Sequence, residues 1–559
     1  MRSFMPGAWY PIMRWENGLQ PNGIQNIEIG GLPPADEMLP LVGGKAFNLM
    51  KLAAMAFPVP PAFVLPTSMC PSWNSAGAPS ADEFRALVGG PMDRLERASG
   101  LGFGDTRKPL LVSVRSGAPV SMPGMLDTVL NIGLTRATLP GLIALTGSPR
   151  LAWDCYMRLI ESYAEIVQDL DLAPFKAASL KAMTFAGAAT LAELDTLALR
   201  DLVAQYIEIF EDAAGEPFPD DPFTQLLRAV RAVFLSWNSE RAKIYRRIHA
   251  LDGLSGTAVT VQRMVYGNAG PRSGAGVAFT RDPATGQKRL YLDFAFDAQG
   301  EDVVSGRCRL APAAELARLL PDISKSLDSV ATRLEQAFCE VQDFEFTVEE
   351  GELFLLQTRD AKRSAWARLK IAVDMVHEGL IEPEEALRRL AGLDLSTLAR
   401  RRVAEGSAEA VAQGVTAAVG VATGGIALSV EAAKAQAAQG RKVILVRNDI
   451  ATEDIDGVAN AEGVLTARGG KTSHAAVVAR ELGKVAIVGC NELRISDDET
   501  SCNFGDRRFE NGAEITLDGE SGRVYAGIVE IGEERPLQEL AQVAAWRAKA
   551  SEALQSKAS

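Results

Sequence analysis

Residues 467–489 read ARGGKTSHAAVVARELGKVAIVG. Physically this is the end of a strand, a glycine turn, a helix and a second strand. A hydroxyl just ahead of a helix accepts from its unpaired N–H groups, so Thr472 or Ser473 is expected to cap this helix and Gly483 to end it. His474 then falls at the helix N-terminus, where the peptide dipoles leave a partial positive charge. That charge favours neutral imidazole over imidazolium, which suits a nucleophile. The same N–H groups can meet a phosphoryl group once it is attached, and Gly469 and Gly470 leave room for it to approach the backbone. A capping histidine standing alone is more often structural. Here His249, His377 and His474 are the only histidines in 559 residues, so histidine chemistry has few candidates.

Working outward, KVILVR and GVLTAR precede this segment as strands, and AEITL and RVYAG close a compact unit over 408–530. Before it, SAWARLKIAVDMVHEGL and IEPEEALRRL read as two helices, and the charged, Ala-rich stretch 395–415 suits a hinge. The reading therefore gives a domain over 1–362, a helical linker over 363–407, the histidine unit, and a polar helical tail over 531–559 with a frayed end. Within the first domain, 151–235 reads as helices. Residues 341–358, VQDFEFTVEEGELFLLQT, read as a hairpin around Glu350-Gly351.

Four segments of that first domain carry charge where phosphates could use it. Lys45 follows two glycines in VGGKAFNL and could reach a phosphate as a compact cation, although a lone lysine is usually just solvated. Arg115 ends the apolar run PLLVSVRSGA, where a half-buried guanidinium is costly without an anion. The glycine-rich stretch YGNAGPRSGAG offers Gly267, Gly274 and Gly276 as a loop whose N–H groups fold over phosphates, though such a stretch is often only a turn. On the hairpin, Asp343 and Glu345 share one strand face and Gln357 and Arg359 share a face of the returning strand. Two carboxylates, an amide and a guanidinium suit Mg²⁺ and nucleotide phosphate, with Glu345 and Gln357 as the metal donors. The bland alternative is a cross-strand salt-bridge cluster.

Composition bounds the rest. A net charge of −13 and a pI of about 5.1 disfavour a nucleic-acid binder. The six cysteines are scattered without zinc spacing, as expected of reduced thiols in a cytoplasmic protein. No apolar run suits a membrane span, and the N-terminus lacks a signal-peptide pattern.

The 467–489 string, together with the Lys45, Arg115 and hairpin segments, resembles pyruvate phosphate dikinase over most of the chain. The resemblance implies an α/β and α+β multidomain protein. An ATP-grasp-like nucleotide-binding domain is joined to a swivelling β/β/α phosphohistidine domain. It implies that Lys45, Arg115, Asp343, Glu345, Gln357 and Arg359 bind ATP with Mg²⁺, and that Gly469, Gly470, Lys471, Thr472 and Ser473 surround the phosphohistidine. In such enzymes the histidine attacks the β-phosphoryl of ATP and AMP leaves. Inorganic phosphate then takes one phosphoryl group and pyruvate the other, on a (β/α)₈ barrel. No barrel sequence follows residue 559, so the expected acceptor site is a separate barrel protein. Other readings are a kinase for a different small molecule and a non-catalytic nucleotide-binding regulator. The chain departs from the pattern at Lys471, usually methionine, at Pro271-Arg272, and at Asp293 and Asp297, usually Glu and Asn.

Overall fold

In a computed structural model of the chain, residues 23–558 are described, apart from 74–77, 121, 123–125, 252, 305–307, 309, 405, 407, 452–453, 471–472 and 497. Lys471 and Thr472 lie outside the described residues, as does the side chain of His474. Two compact units divide between Met264 and Val265.

The first unit is built on an antiparallel sheet of β1 (Gln25–Ile27), β2 (Ala62–Leu65), β3 (Val112–Gly117), β4 (Thr128–Ile132) and β5 (Ala258–Arg263), in the order β1-β2-β5-β3-β4. Its first long helix, α1 (Leu39–Ala54), kinks at Gly43, whose φ is 77°. A Cβ there would lie 2.0 Å from the Gly117 carbonyl oxygen, so only glycine lets helix and strand meet. The stretch expected to be helical contains α2 (Pro149–Gln168), α3 (Thr196–Ala214) and α4 (Pro222–Ser236). Each starts on a side-chain cap: Ser148 accepts from Leu151 N–H, Asp195 from Ala198 N–H and Asp221 from Thr224 N–H.

The second unit begins with the antiparallel sheet β6 (Gly274–Phe279), β7 (Tyr291–Phe296), β8 (Gln342–Glu349) and β9 (Glu352–Asp360), in the order β7-β6-β8-β9. Glu350 and Gly351 both take positive φ, 49° and 87°, which makes the two-residue turn that matches strand twist. Helix α5 (Pro321–Phe338) packs against β8. Phe294 and Phe346 stack with ring centroids 5.9 Å apart, and both pair in register with Gly276.

That stacking corrects the glycine-loop expectation. Gly274 and Gly276 lie inside β6, not in a loop. A Cβ on Gly276 would come within 2.5 Å of the Phe346 ring, and one on Gly274 within 2.2 Å of the Phe294 ring. These glycines are small because aromatic rings from the neighbouring strands cover them. Gly267 precedes β6, and a Cβ there would meet the Ala298 carbonyl oxygen at 2.2 Å, so it too serves a close backbone approach.

Helices α6 (Ala365–His377) and α7 (Pro383–Leu390) follow the hairpin. The chain then enters a mixed sheet through β10 (Arg400–Val403). Next come β11 (Ala410–Gln413), β12 (Val415–Ala418), β13 (Val421–Ala427), β14 (Val443–Arg447) and β15 (Gly463–Thr466). Helix α8 (His474–Glu481) leads to β16 (Val485–Val488). A small three-stranded sheet follows, made of β17 (Leu493–Ile495), β18 (Ser501–Phe504) and β19 (Arg507–Glu510). β20 (Glu514–Asp518) and β21 (Arg523–Ala526) return to the mixed sheet, and β22 (Ile531–Glu534) leaves it. The mixed sheet runs β11-β21-β20-β13-β14-β15-β16-β12, with β13 to β16 parallel. Its strands and helices form the histidine module.

The stretch 395–415, read as a hinge, carries strands. β10 pairs antiparallel with β22, Arg400 opposite Glu534 and Val403 opposite Ile531, so the strands entering and leaving the module form one ribbon. The C-terminal tail forms the expected helix, α9 (Leu537–Ala558), and it is not merely polar: Val543 and Trp546, three residues apart on one face, are buried against α6 and α7. All six cysteines are free, and Cys70, Cys155, Cys490 and Cys502 are buried. No helix among the described residues is long and apolar enough to cross a membrane.

Candidate functional site

The four-stranded sheet of the second unit aligns its polar residues in two rows. Strand register sets Asp293, Val277, Glu345 and Gln357 opposite one another across β7, β6, β8 and β9. Two residues along, Tyr291, Phe279, Asp343 and Arg359 form the second row. Side chains two apart on a strand share a face, so both rows line the face opposite the Phe294–Phe346 stack. Neighbouring strands lie about 4.8 Å apart, which puts Asp293 and Glu345 at backbone positions roughly 10 Å apart.

Asp343 and Arg359 form an ion pair of 2.8 Å, with the Asp343 side chain 7% exposed. Burial pushes the Asp343 carboxyl above the usual carboxylate range, while the Arg359 guanidinium pulls it back and the Glu345 charge adds to the rise. Gln357 and Asp293 are buried, and Glu345 is half-buried. Carboxylate and amide oxygens are the hard donors Mg²⁺ prefers. No group of three or more His, Cys, Asp or Glu side chains among the described residues could hold a metal. A magnesium site of one or two protein carboxylates, completed by phosphate and water oxygens, needs no such group, so the Glu345–Gln357 pair fits the ion.

In the first unit, the kink of α1 brings the backbone before Lys45 against the end of β3, the strand that carries Arg115. Gly44 N–H donates to the Ala118 carbonyl at 2.9 Å, next to the Gly43–Gly117 contact. Lys45 follows directly on the first and is exposed; Arg115 lies on β3 opposite Thr128 and Thr260 and is half-buried.

The histidine loop is the turn between parallel strand β15 and helix α8, at the carboxyl end of the strand, where open α/β sheets place ligands. Ser473 caps α8, its hydroxyl accepting from Ala476 N–H at 3.4 Å. Thr466 Oγ1 donates to the Arg468 carbonyl at 2.6 Å. Gly469 has φ 101°, a conformation side chains resist. Gly470 lies against β7: an ideal Cβ there would be 2.7 Å from Asp293 Oδ2 and 2.1 Å from Leu310 Cδ1. Tyr291 Oη donates to the Thr416 carbonyl on β12 at 2.7 Å. Gly470, four residues ahead of His474, is therefore seated on the face that carries Asp343 and Glu345.

Residues 92–314 match the pyruvate phosphate dikinase AMP/ATP-binding domain, and residues 439–522 match the mobile domain of PEP-utilising enzymes. The pyruvate, phosphate dikinase of Clostridium symbiosum is 40% identical over 510 residues, covering 90% of this chain and 58% of the relative. The chain belongs to the pyruvate phosphate dikinase family. Among other members, pyruvate, phosphate dikinase 2 of Zea mays is 42% identical over 494 residues, with 88% and 56% covered. The Rhizobium meliloti pyruvate, phosphate dikinase is 40% identical over 499 residues, with 87% and 56% covered. The chain spans about half the length of the curated relatives it matches. Within this dikinase-family chain, Lys45 and the 342–360 hairpin fall outside the stretch matched to the AMP/ATP-binding domain. Sequence reading gave no role to Tyr291, which stands on β7 beside the flagged Asp293. It gave none to Arg480 either, although that residue closes the AAVVAR run.

Proposed function

We propose that the chain is an ATP-dependent phosphotransferase that forms phosphohistidine on His474. The observation that carries this reading is the contact of Gly470 with Asp293. Gly470, four residues before His474, lies on the sheet face that bears Glu345, Gln357, Asp343 and Arg359. Lys45 and Arg115 enter as ATP residues by the family resemblance alone. On this sheet face, Arg359 meets the phosphates while Asp343 fixes its guanidinium. Glu345 and Gln357 hold Mg²⁺, which when bound neutralises triphosphate charge. Helix α8 offers the N–H groups of its N-terminus to the phosphoryl group that His474 receives. An N–P bond forms on His474, the bond between the α- and β-phosphoryl groups breaks, and AMP carries away the leaving oxygen. Inorganic phosphate then takes the outer phosphoryl group, which leaves phosphohistidine.

The final acceptor in this reading is pyruvate. Support for it comes from the relatives, which are named for pyruvate and phosphate. The test is incubation with Mg²⁺ and ATP labelled at the β-phosphoryl, with and without phosphate. The expected result is AMP and acid-labile label on the wild type and none on His474→Ala. Label that survives this substitution, or no label at all, defeats the reading. Adding pyruvate, with and without a candidate barrel protein, then identifies the acceptor.

A further inference from the structure

Arg480 stands six residues after His474 on α8, and its Nη1 donates to the Ala417 carbonyl at 2.8 Å. Its guanidinium carbon lies 5.7 Å from the centroid of the Phe279 ring. Phe279 is the residue between Tyr291 and Asp343 in the second polar row. The histidine module therefore meets the sheet face at both rows: Gly470 at Asp293 in the first, Arg480 over Phe279 in the second. Between them, Tyr291 Oη binds the Thr416 carbonyl, one residue from the carbonyl that holds Arg480.

From this geometry we propose that Arg480 is a positioning residue: it inserts the histidine module's own positive charge among the carboxylates of the sheet and so seats His474 over the nucleotide face. The inference rests on the reading that His474 takes its phosphoryl group on that face. Burial pulls the guanidinium below its ordinary range, while the Asp343, Asp293 and Asp282 carboxylates favour its charged form. A buried cation is costly without anions. A module that left the sheet would give up Asp343, Asp293 and Asp282 together, since all three belong to the sheet side. Seating is then charge-dependent and weakens with salt.

The experiment compares Arg480→Gln, Arg480→Lys and Asp293→Asn with the wild type in two measurements. Hydrogen exchange at 291–296 and 415–418, the two strand edges that face each other, reports seating without chemistry. Single-turnover transfer from β-labelled ATP reports its consequence. Arg480→Gln is expected to speed exchange at both edges and to slow labelling about thirtyfold or more, as truncating one partner of a buried charge pair does. Arg480→Lys restores part of both. Asp293→Asn, which leaves α8 untouched, shifts both in the same direction. Unchanged exchange at both edges in Arg480→Gln overturns the proposal. So does wild-type exchange in Asp293→Asn when Arg480→Gln merely lowers the melting temperature of the module. If the wild type takes no label, the proposed function fails, while the exchange data still decide the role of Arg480.

Discussion

Gly470→Ala separates seating of the histidine module from its folding. Gly470 is not among the glycines with positive φ, so its backbone tolerates alanine. All three nearest atoms to its ideal Cβ, Leu310 Cδ1 at 2.1 Å and Asp293 Oδ2 and Cγ at 2.7 and 3.1 Å, lie outside the histidine module. The added methyl group is harmless while the module is free and clashes only when it is seated. Overpacking of this kind costs about 1–3 kcal/mol. At about 1.4 kcal/mol per factor of ten, label transfer from ATP to His474 should slow roughly five- to 150-fold. Leu310 sets the lower end, because the tip of its side chain can turn away. Asp293, held on β7, sets the upper end.

The assay is single-turnover labelling from β-labelled ATP beside a thermal melt of the same protein. The expected pattern is a slowed transfer with an unchanged melt. Leu310→Ala combined with Gly470→Ala should recover part of the rate by removing the nearer clash. Gly469→Ala is the control. Its φ of 101° strains any side chain, so it should lower the stability of the module itself by about 1 kcal/mol. Wild-type labelling by Gly470→Ala would refute the seated arrangement. A rate loss matched by an equal loss of stability would refute the division between seating and folding.

Three further outcomes follow from other contacts. Arg281 is fully buried and pairs with Glu335 at 2.8 Å and Glu378 at 2.7 Å; Glu335→Ala leaves that charge half-compensated, which costs about 3–5 kcal/mol and should show as a clear fall in unfolding temperature. Asp343 has its pKa raised by burial, so on acidification it takes up a proton above the ordinary carboxylate value of ~3.9. Mg²⁺–ATP binding, followed by calorimetry, should weaken as pH falls through that window, and Asp343→Asn should abolish the dependence. The shift itself makes the native state slightly less stable as pH rises through the window, so acid loss of binding is not unfolding. Glu520 receives Arg402 at 2.7 Å and Arg400 at 3.1 Å; Glu520→Gln should speed tryptic cleavage within Arg400–Arg402 severalfold, and an unchanged rate would show that the ribbon holds without it.

The hairpin was legible because its alternation is regular and Glu350-Gly351 marks the turn; counting from that turn sets Glu345 and Asp343 opposite Leu356 and Thr358, one residue short of their partners Gln357 and Arg359. The irregularity between Glu345 and Phe346 was not, since a bulge leaves no local signal. The helix at His474 was legible from Ser473 and Gly483. The stretch 267–276 was misread because a glycine that makes room for a stacked ring looks, in sequence, like one that frees a loop. Only Phe294 and Phe346, distant in the chain, distinguish the two. Arg480 was invisible for a related reason: α8 is legible by itself, but what its outer residues touch depends on pairing across sheets.

The ribbon β10–β22 bears on how a seated module can also leave. Every covalent path into the histidine module passes through two strands paired to each other, Arg400 to Val403 against Ile531 to Glu534. A body tethered through one narrow ribbon can turn without breaking its own core, because the bending is confined to residues outside that core. The ribbon is also charged on both strands. Arg400 stacks on Trp366 of α6 at 4.4 Å while pairing with Glu534 and with Glu520 in the turn between β20 and β21. Arg400 thus contacts both the helical segment before the module and the module itself. Against this, the described contacts that seat the module are a glycine approach, one tyrosine hydrogen bond and one guanidinium among carboxylates. Polar contacts of this kind exchange readily for water, unlike an apolar interface. A module with an apolar core of its own, one paired tether and a polar seat has the physical requirements of a carrier that docks and departs. Replacing that seat with an apolar contact should hold it in place and stop turnover after the first transfer.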